Sequence, residues 1–166
     1  MIKIGKNLSE WSSYSCQPKT RGELEEIIKY RMREQGEFCN LNDIDVNQII
    51  DMNSLFHDSK FNGDISKWDV SNVKEMWCMF SGSEFNNDIS NWNVSNVEDM
   101  SMMFFASFFN KPIENWNVSN VKDMEDMFKH SQFNQDISCL EINKNCDASY
   151  MFYGCPIKEE FKPKIE

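Results

Sequence analysis

The chain repeats itself every 24 residues, and this period constrains its fold more than any other feature of the sequence. Five segments align without a gap, and they begin at Leu41, Ile65, Ile89, Ile113 and Ile137. The central three read ISKWDVSNVKEMWCMF (65–80), ISNWNVSNVEDMSMMF (89–104) and IENWNVSNVKDMEDMF (113–128). One unit cannot bury its own apolar side chains, so the sequence predicts units that stack in register, with divergent units at the two ends.

The first residues of each unit predict a β-strand. Trp68 and Val70 alternate inward at period two after Ile65, in a short run with β-branched residues at its ends. The same core positions recur in the central units as Ile65, Trp68, Val70, Ile89, Trp92, Val94, Ile113, Trp116 and Val118.

The second part of each unit predicts a short helix. Val73, Met76, Met79 and Phe80 fall at i, i+3, i+6 and i+7, which is one face of a helix. The matching core positions are Met76, Phe80, Met100, Phe104, Met124 and Phe128. A strand, a short helix and a turn in alternation predict an α/β repeat protein. The expected fold is a right-handed, leucine-rich-repeat-like solenoid of about five strand–helix coils, with a parallel sheet on one face.

The segments on either side of the repeats predict caps. Thr20-x-x-Glu23 is a capping box, and an apolar stripe from Leu24 to Met32 follows it. Gly36 fits the far end, so we expect an amphipathic capping helix at about 20–35 within an N-terminal segment 1–40. The solenoid would occupy 41–155, and the charged stretch 156–166 would be a C-terminal cap or tail.

A Phe-Asn pair follows the polar turn of each unit. Its asparagines recur at the repeat period, so we expect a structural ladder in which they hydrogen-bond backbone groups: Asn62, Asn86, Asn110 and Asn134.

The repeated motif FNxDISxWxVSNVxxMxxMF closely resembles the DUF285 repeats of BspA-like leucine-rich-repeat proteins of mycoplasmas and other bacteria. The resemblance covers residues 41–155. It implies a leucine-rich-repeat-like solenoid and a surface or lipid-anchored role in adhesion. The family supplies no catalytic residues.

Charge and hydropathy exclude several classes of partner. The net charge is −10, and residues 41–155 hold seven Lys and eighteen Asp or Glu, so the repeats would repel nucleic acid. No apolar run approaches the roughly 20 residues of a membrane span. The N-terminus lacks the apolar core of a signal peptide, which favours a cytoplasmic location by default. Six cysteines without a CxxC pair predict reduced thiols.

Outward-facing polar residues are the candidate binding site. Side chains that alternate away from the core would line the open face of the sheet: Lys67, Asp69, Asn91, Asn93, Asn115, Asn117 and Glu141. Solenoids commonly bind proteins on this concave side, so we expect a protein–protein interaction module that uses this face and its flanking turns. Two alternatives stay open. One is a structural protein that self-associates through its ends, and the other is binding of glycan or calcium through the repeated Asn and Asp.

Catalysis and metal binding have little support in the sequence. His57 and His130 are not equivalent positions, and no phosphate-binding loop, GxSxG or dinucleotide motif is present, so we expect a non-catalytic protein without a cofactor. Asn62-Gly-Asp64 and its equivalents resemble ligands of hard cations, but Asn and Asp favour turns in any case. Cys139, Cys146 and Cys155 with His130 match no zinc spacing, so no metal site is predicted.

Overall fold

A computed structural model describes residues 16–164 of the chain. The expectation about a signal peptide concerns the first fifteen residues, which lie outside this range. The helix α1 spans Arg21–Gln35, and a single 3₁₀ turn spans Glu159–Phe161. Between them the chain consists of tight turns joined by isolated parallel bridges, and most of these bridges link residues 24 positions apart, such as Asp51 to Glu75.

The predicted leucine-rich-repeat-like solenoid with a parallel sheet is wrong. Within residues 16–164 there is no β-strand and no sheet, and α1 is the one α-helix. Where a strand was expected, the N–H of Trp68 donates to the carbonyl of Ile65 at 3.1 Å and closes a β-turn. A second turn follows at once, because the N–H of Val73 donates to the carbonyl of Val70 at 2.9 Å. Two reversals within nine residues leave no room for a strand.

The expected short helices at 73–80 and its equivalents are also absent. Cys78 and Gly82 adopt left-handed backbone conformations, with φ of 53° and 66°, so the α-helical hydrogen-bond pattern cannot continue through them. The chain forms overlapping turns instead, in which Met79 bonds back to Met76 and Ser81 to Cys78. Each unit repeats the two left-handed positions, which in the other units are Ser54, Asp58, Met102, Ala106, Asp126, His130, Tyr150 and Gly154.

Backbone hydrogen bonds between units compensate for the strain of these left-handed residues. In each of the first four units, four N–H groups at alternate residues donate to four carbonyls of the next unit, at 2.7 to 3.0 Å. In the second unit the donors are Met76, Cys78, Phe80 and Gly82, and the acceptors are Asp99, Ser101, Met103 and Phe105. We call this set of bonds the amide ladder. All of its N–H groups point toward the C-terminal end of the stack.

Aromatic rings align along the same axis. Phe80 lies 5.4 Å from Phe56 and 5.6 Å from Phe104, with interplanar angles of 2° and 3°. The indoles of Trp68 and Trp92 stack at 6.4 Å and 5°. All fifteen core positions named from the sequence are buried, with at most 4% of their surface exposed. The units are therefore stacked in register around one continuous apolar interior.

The helix α1 covers the first unit. Thr20 accepts the N–H of Glu23 at its N-terminus, and Leu24, Ile27 and Ile28 are buried against the core. At the other end, Ile157 is buried where the earlier units have phenylalanine, and the N–H of Lys158 donates to Asn134 Oδ1 at 3.2 Å. The C-terminal segment thus begins a sixth unit and covers part of the fifth.

Candidate functional site

The predicted binding residues lie on a face built of turns instead of a sheet. Each β-turn of the type 65–68 exposes one of Lys67, Asn91 and Asn115 at its third position, and the chain between this turn and the next exposes Asp69, Asn93 or Asn117. Glu141 is exposed at the corresponding place in the last unit. We call these seven residues the turn face. The predicted concave side of a sheet does not exist, but the side chains still form two exposed rows along the stack.

One row of the turn face also shapes the backbone. Asn93 Oδ1 accepts the N–H of Ser95 at 3.2 Å and its hydroxyl at 2.8 Å, and Asn117 makes the same contacts with Ser119. In Asp69, hydrogen bonds from the hydroxyl and the N–H of Ser71 hold the pKa of the carboxyl below its usual value. The row that contains Asn91 and Asn115 does not shape the backbone in this way. The side chains of these two residues make no hydrogen bond within residues 16–164.

A second set of asparagines ties neighbouring units together at the edge of the turn face. Asn96 Nδ2 donates to the carbonyl of Ser71, and Asn120 Nδ2 donates to that of Ser95, both at 2.7 Å. Asn72 and Asn143 make the equivalent bonds. This role was not predicted from the sequence. Its signal was the recurrence of Asn72, Asn96 and Asn120 at the repeat period.

The ladder of Asn62, Asn86, Asn110 and Asn134 runs on another side of the stack. Asn62 Oδ1 accepts the N–H of Asn86, and Asn86 Oδ1 accepts that of Asn110, both at 2.9 Å. The pattern continues from Asn110 to Asn134 and from Asn134 to Lys158. These carbonyl oxygens therefore satisfy backbone donors that the turn leaves without a backbone partner.

The bridge residues form an acidic row, which consists of Asp51, Glu75, Asp99, Asp123 and Asp147. The aspartates accept local N–H groups, as Asp99 does from Ser101 at 2.8 Å. Glu75 makes no such bond. Burial, and then the carboxylates of Asp99 and Asp51, raise its pKa. Beside this row, Glu98 binds Lys122 at 2.5 Å and Lys74 at 3.4 Å.

The sequence of the repeats matches the model of one protein family. The family model described as "Mycoplasma protein of unknown function, DUF285" matches residues 27–130 and 83–165. The chain belongs to the DUF285 family. No curated protein matches it, and no solved structure does. The two matches cover all five units of this DUF285 chain and most of α1.

The two histidines have different surroundings. In this DUF285 chain His57 is exposed and contacts Asp58, with Nε2 at 3.3 Å from Oδ2. His130 packs edge-on against Phe105 and Tyr153. Both therefore have structural neighbours, and within residues 16–164 neither side chain forms a hydrogen bond with a serine or cysteine.

The cysteines do not gather into a metal site. Within residues 16–164 no group of three or more His, Cys, Asp or Glu side chains is placed to hold a metal ion. Cys139 is exposed, whereas Cys146 and Cys155 are half-buried, and all are free thiols. Burial, and then the carboxylates of Asp123 and Asp147, raise the pKa of Cys146 to about 11. In the described residues, no helix is both long and apolar enough to cross a bilayer.

Large apolar side chains are exposed at several places, among them Trp77 and the C-terminal end of the stack. Trp77 is 43% exposed, and its N–H is held by Asn53 Oδ1 at 2.7 Å. At the C-terminal end of the stack, Tyr150 and Tyr153 are 67% and 61% exposed. An open cleft of about 360 Å³ lies beside that end of the turn face, lined by Ser138, Cys139, Leu140, Glu141, Ile142, Lys144 and Lys164.

Proposed function

We propose that this DUF285 chain is a non-catalytic module that binds a protein partner through its turn face. The observation that carries the proposal is that different positions of the repeat serve the fold and form the exposed surface. Positions shared by the units are buried or hydrogen-bonded between units, whereas the exposed position at the third residue of the first turn changes from Lys67 to Asn91, Asn115 and Cys139. Side chains that the stack does not require are free to be selected for recognition.

The rigidity of the backbone beneath these side chains supports the same proposal. Asn93 and Asn117 fix their turns, and the asparagines at 96 and 120 fix each turn to the preceding unit. A surface that is ordered before binding loses less conformational entropy when a partner docks. Carboxamides can both donate and accept hydrogen bonds, which suits the contact to a polar protein surface.

The area and the charge of the turn face indicate how large the contact is and what kind of partner it suits. A specific protein interface buries about 800 Å² on each side, more than two rows of short side chains supply, so the contact extends onto neighbouring turns. The face carries Asp69 and Glu141 against Lys67, in a repeat region that is strongly acidic. A partner with a basic surface is therefore favoured by electrostatic steering. Adhesion at a cell surface, the role implied by the resemblance to BspA-like proteins, is one form of this proposal.

The test replaces the two free carboxamides. Asn91→Arg plus Asn115→Arg adds bulk and charge to the turn face without removing a hydrogen bond of the fold. The matched control, Gln35→Arg plus Gln132→Arg, adds the same charge at exposed sites elsewhere. We expect capture of partner proteins from cells of the source organism, quantified by mass spectrometry, to fall roughly tenfold or more for the first pair only. Equal capture by both pairs and the unchanged chain would reject the turn face.

A further inference from the structure

The amide ladder is complete inside the stack and unfinished at its C-terminal end. Each of the first four units donates four N–H groups to the unit that follows it. The last unit has the same four groups, on Ala148, Tyr150, Phe152 and Gly154, at the positions equivalent to Met52, Ser54, Phe56 and Asp58. No group within residues 16–164 accepts a hydrogen bond from these four. We call them the amide row.

The backbone of the amide row is already shaped like the internal units. Tyr150 and Gly154 adopt the left-handed conformation with φ of 56° and 68°, and the turns close normally, with Met151 bonded to Ala148 and Tyr153 to Tyr150. The row therefore has the conformation that receives a neighbour elsewhere in the chain. It is accessible, since Tyr150 and Gly154 are exposed and Ala148 and Phe152 are half-buried.

The two ends of the stack differ in how they are closed. At the N-terminal end, α1 packs on the first unit, and Arg21 Nε donates at 2.6 Å to the carbonyl of Asn53, the position equivalent to Trp77, which is an acceptor of the amide ladder. At the C-terminal end, the residues after Gly154 cover the side of the unit near Ile137, whose N–H donates to the carbonyl of Phe161. Beside the amide row, Lys162 Nζ lies 5.9 Å from the centre of the Phe152 ring.

We propose that the amide row binds a peptide segment of a different protein, since α1 covers the first unit in any second copy of this chain, and that the segment carries the Asp-Met-x-x-Met-Phe pattern of the repeat. The segment presents backbone carbonyls at every second residue to the four N–H groups. Its phenylalanine stacks on Phe152, which itself lies on Phe128 at 5.9 Å. This is the strand-addition mode of peptide recognition, carried out here by alternating left- and right-handed turns in place of an extended strand.

The kind of segment that the amide row binds follows from the four contacts between consecutive units inside the stack. Each of them presents an amide row of the same geometry, and each row is filled by carbonyls two residues apart at 2.7 to 3.0 Å. The N–H groups all point the same way, so their dipoles give the C-terminal end partial positive charge, which carbonyl oxygens neutralise. The amide row is separate from the turn face, so this proposal does not depend on the proposed function.

Amide hydrogen exchange measured by NMR on the whole chain is the direct test. The probe is a synthetic peptide with the sequence of residues 113–136, which supplies the carbonyls of Asp123, Glu125, Met127 and Lys129. We expect exchange at Ala148, Tyr150, Phe152 and Gly154 to slow by roughly tenfold or more when the peptide is present at millimolar concentration.

Two peptide variants test whether binding requires a left-handed backbone at the position of Asp126. The residue at Asp126 must be left-handed, with φ of 57° in the chain. A peptide with Asp126→Gly can adopt this conformation and should protect the amide row, whereas Asp126→Pro cannot, because proline holds φ near −65°. Equal protection by both peptides, or none by the parent peptide, would overturn the proposal. Protection by inorganic phosphate alone, or by raising the protein concentration without peptide, would assign the row to an anion or to a second copy and also overturn it.

Discussion

The indole Nε1 of Trp92 donates a hydrogen bond to the backbone carbonyl of Ile65 at 3.1 Å, one unit earlier in the chain. Trp68 and Trp116 make the same bond to Leu41 and Ile89, at 2.9 and 3.2 Å. Each of these tryptophans therefore joins two units by its polar edge, and the rings of Trp68 and Trp92 also stack on each other. This double role explains why a polar-tipped aromatic residue recurs at a buried position.

Trp92→Ala should destabilise the whole stack. It removes a ring that is 4% exposed and leaves the carbonyl of Ile65 without its indole donor, so we expect a loss of about 3–5 kcal/mol in the free energy of unfolding. Urea denaturation followed by circular dichroism measures it. The control is Trp77→Ala, whose ring is 43% exposed and which should cost less than about 1 kcal/mol. A smaller loss for Trp92→Ala than for Trp77→Ala would contradict the assigned core.

The asparagine ladder predicts a specific rescue. Asn86→Ala removes the Oδ1 acceptor and leaves the N–H of Asn110 unpaired in a half-buried position, which should cost about 1–3 kcal/mol. Asn86→Asp keeps an oxygen at the same place and should recover most of the loss. Thermal unfolding of the two variants decides this. Equal melting temperatures for Ala and Asp would show that the side chain does not serve as an acceptor.

The left-handed positions predict opposite effects of glycine at two alanines. Ala106 has φ of 52°, so Ala106→Gly relieves backbone strain and should stabilise the chain by about 0.5–1 kcal/mol. Ala148 is not among the left-handed residues, and Ala148→Gly should destabilise by a similar amount because glycine gains entropy in the unfolded chain. Denaturant midpoints give both values. The same sign for both substitutions would contradict the assigned backbone conformations.

Cys146 should react slowly with alkylating reagents at neutral pH. Burial and two neighbouring carboxylates raise its pKa to about 11, so the reactive thiolate forms only as the pH approaches that value. At pH 8 we expect the rate with iodoacetamide to be lower than in the urea-unfolded chain by roughly two orders of magnitude, given an ordinary thiol pKa near 8.5. Mass spectrometry of the labelled peptide measures this. Labelling of folded and unfolded chains at the same rate at pH 8 would exclude the raised pKa.

The sequence predicted the period, the buried columns and the position of α1, because those depend on which residues are apolar and where they recur. It did not predict the backbone conformation of the repeat units. The spacing of Val73, Met76, Met79 and Phe80 suits a helix, but it also suits a series of turns in which every third or fourth side chain faces inward. The hydrogen bonds offered by the next unit decide between a helix and a series of turns. The intrinsic helix propensity of the residues in one unit does not include these bonds.

The left-handed residues were equally hard to foresee. Gly82 and Gly154 share a column with Asp58, Ala106 and His130. The other column consists of Ser54, Cys78, Met102, Asp126 and Tyr150, and of these only Asp126 is of a type that favours a left-handed backbone. For the candidate site, the sequence named the exposed residues of the turn face but assigned them to a sheet. The amide row had no side-chain signal at all, since it consists of backbone N–H groups.

The central claim is that alternate backbone N–H groups of the first four units bond to the next unit and not to the carbonyl four residues earlier. Scalar coupling across hydrogen bonds, measured by NMR on a labelled chain, tests this directly at Phe80. Its N–H donates to the carbonyl of Met103 at 2.9 Å, so a coupling between the Phe80 amide nitrogen and the Met103 carbonyl carbon is expected. A coupling to the carbonyl carbon of Met76, four residues earlier, would show an α-helix at 73–80 and contradict the account.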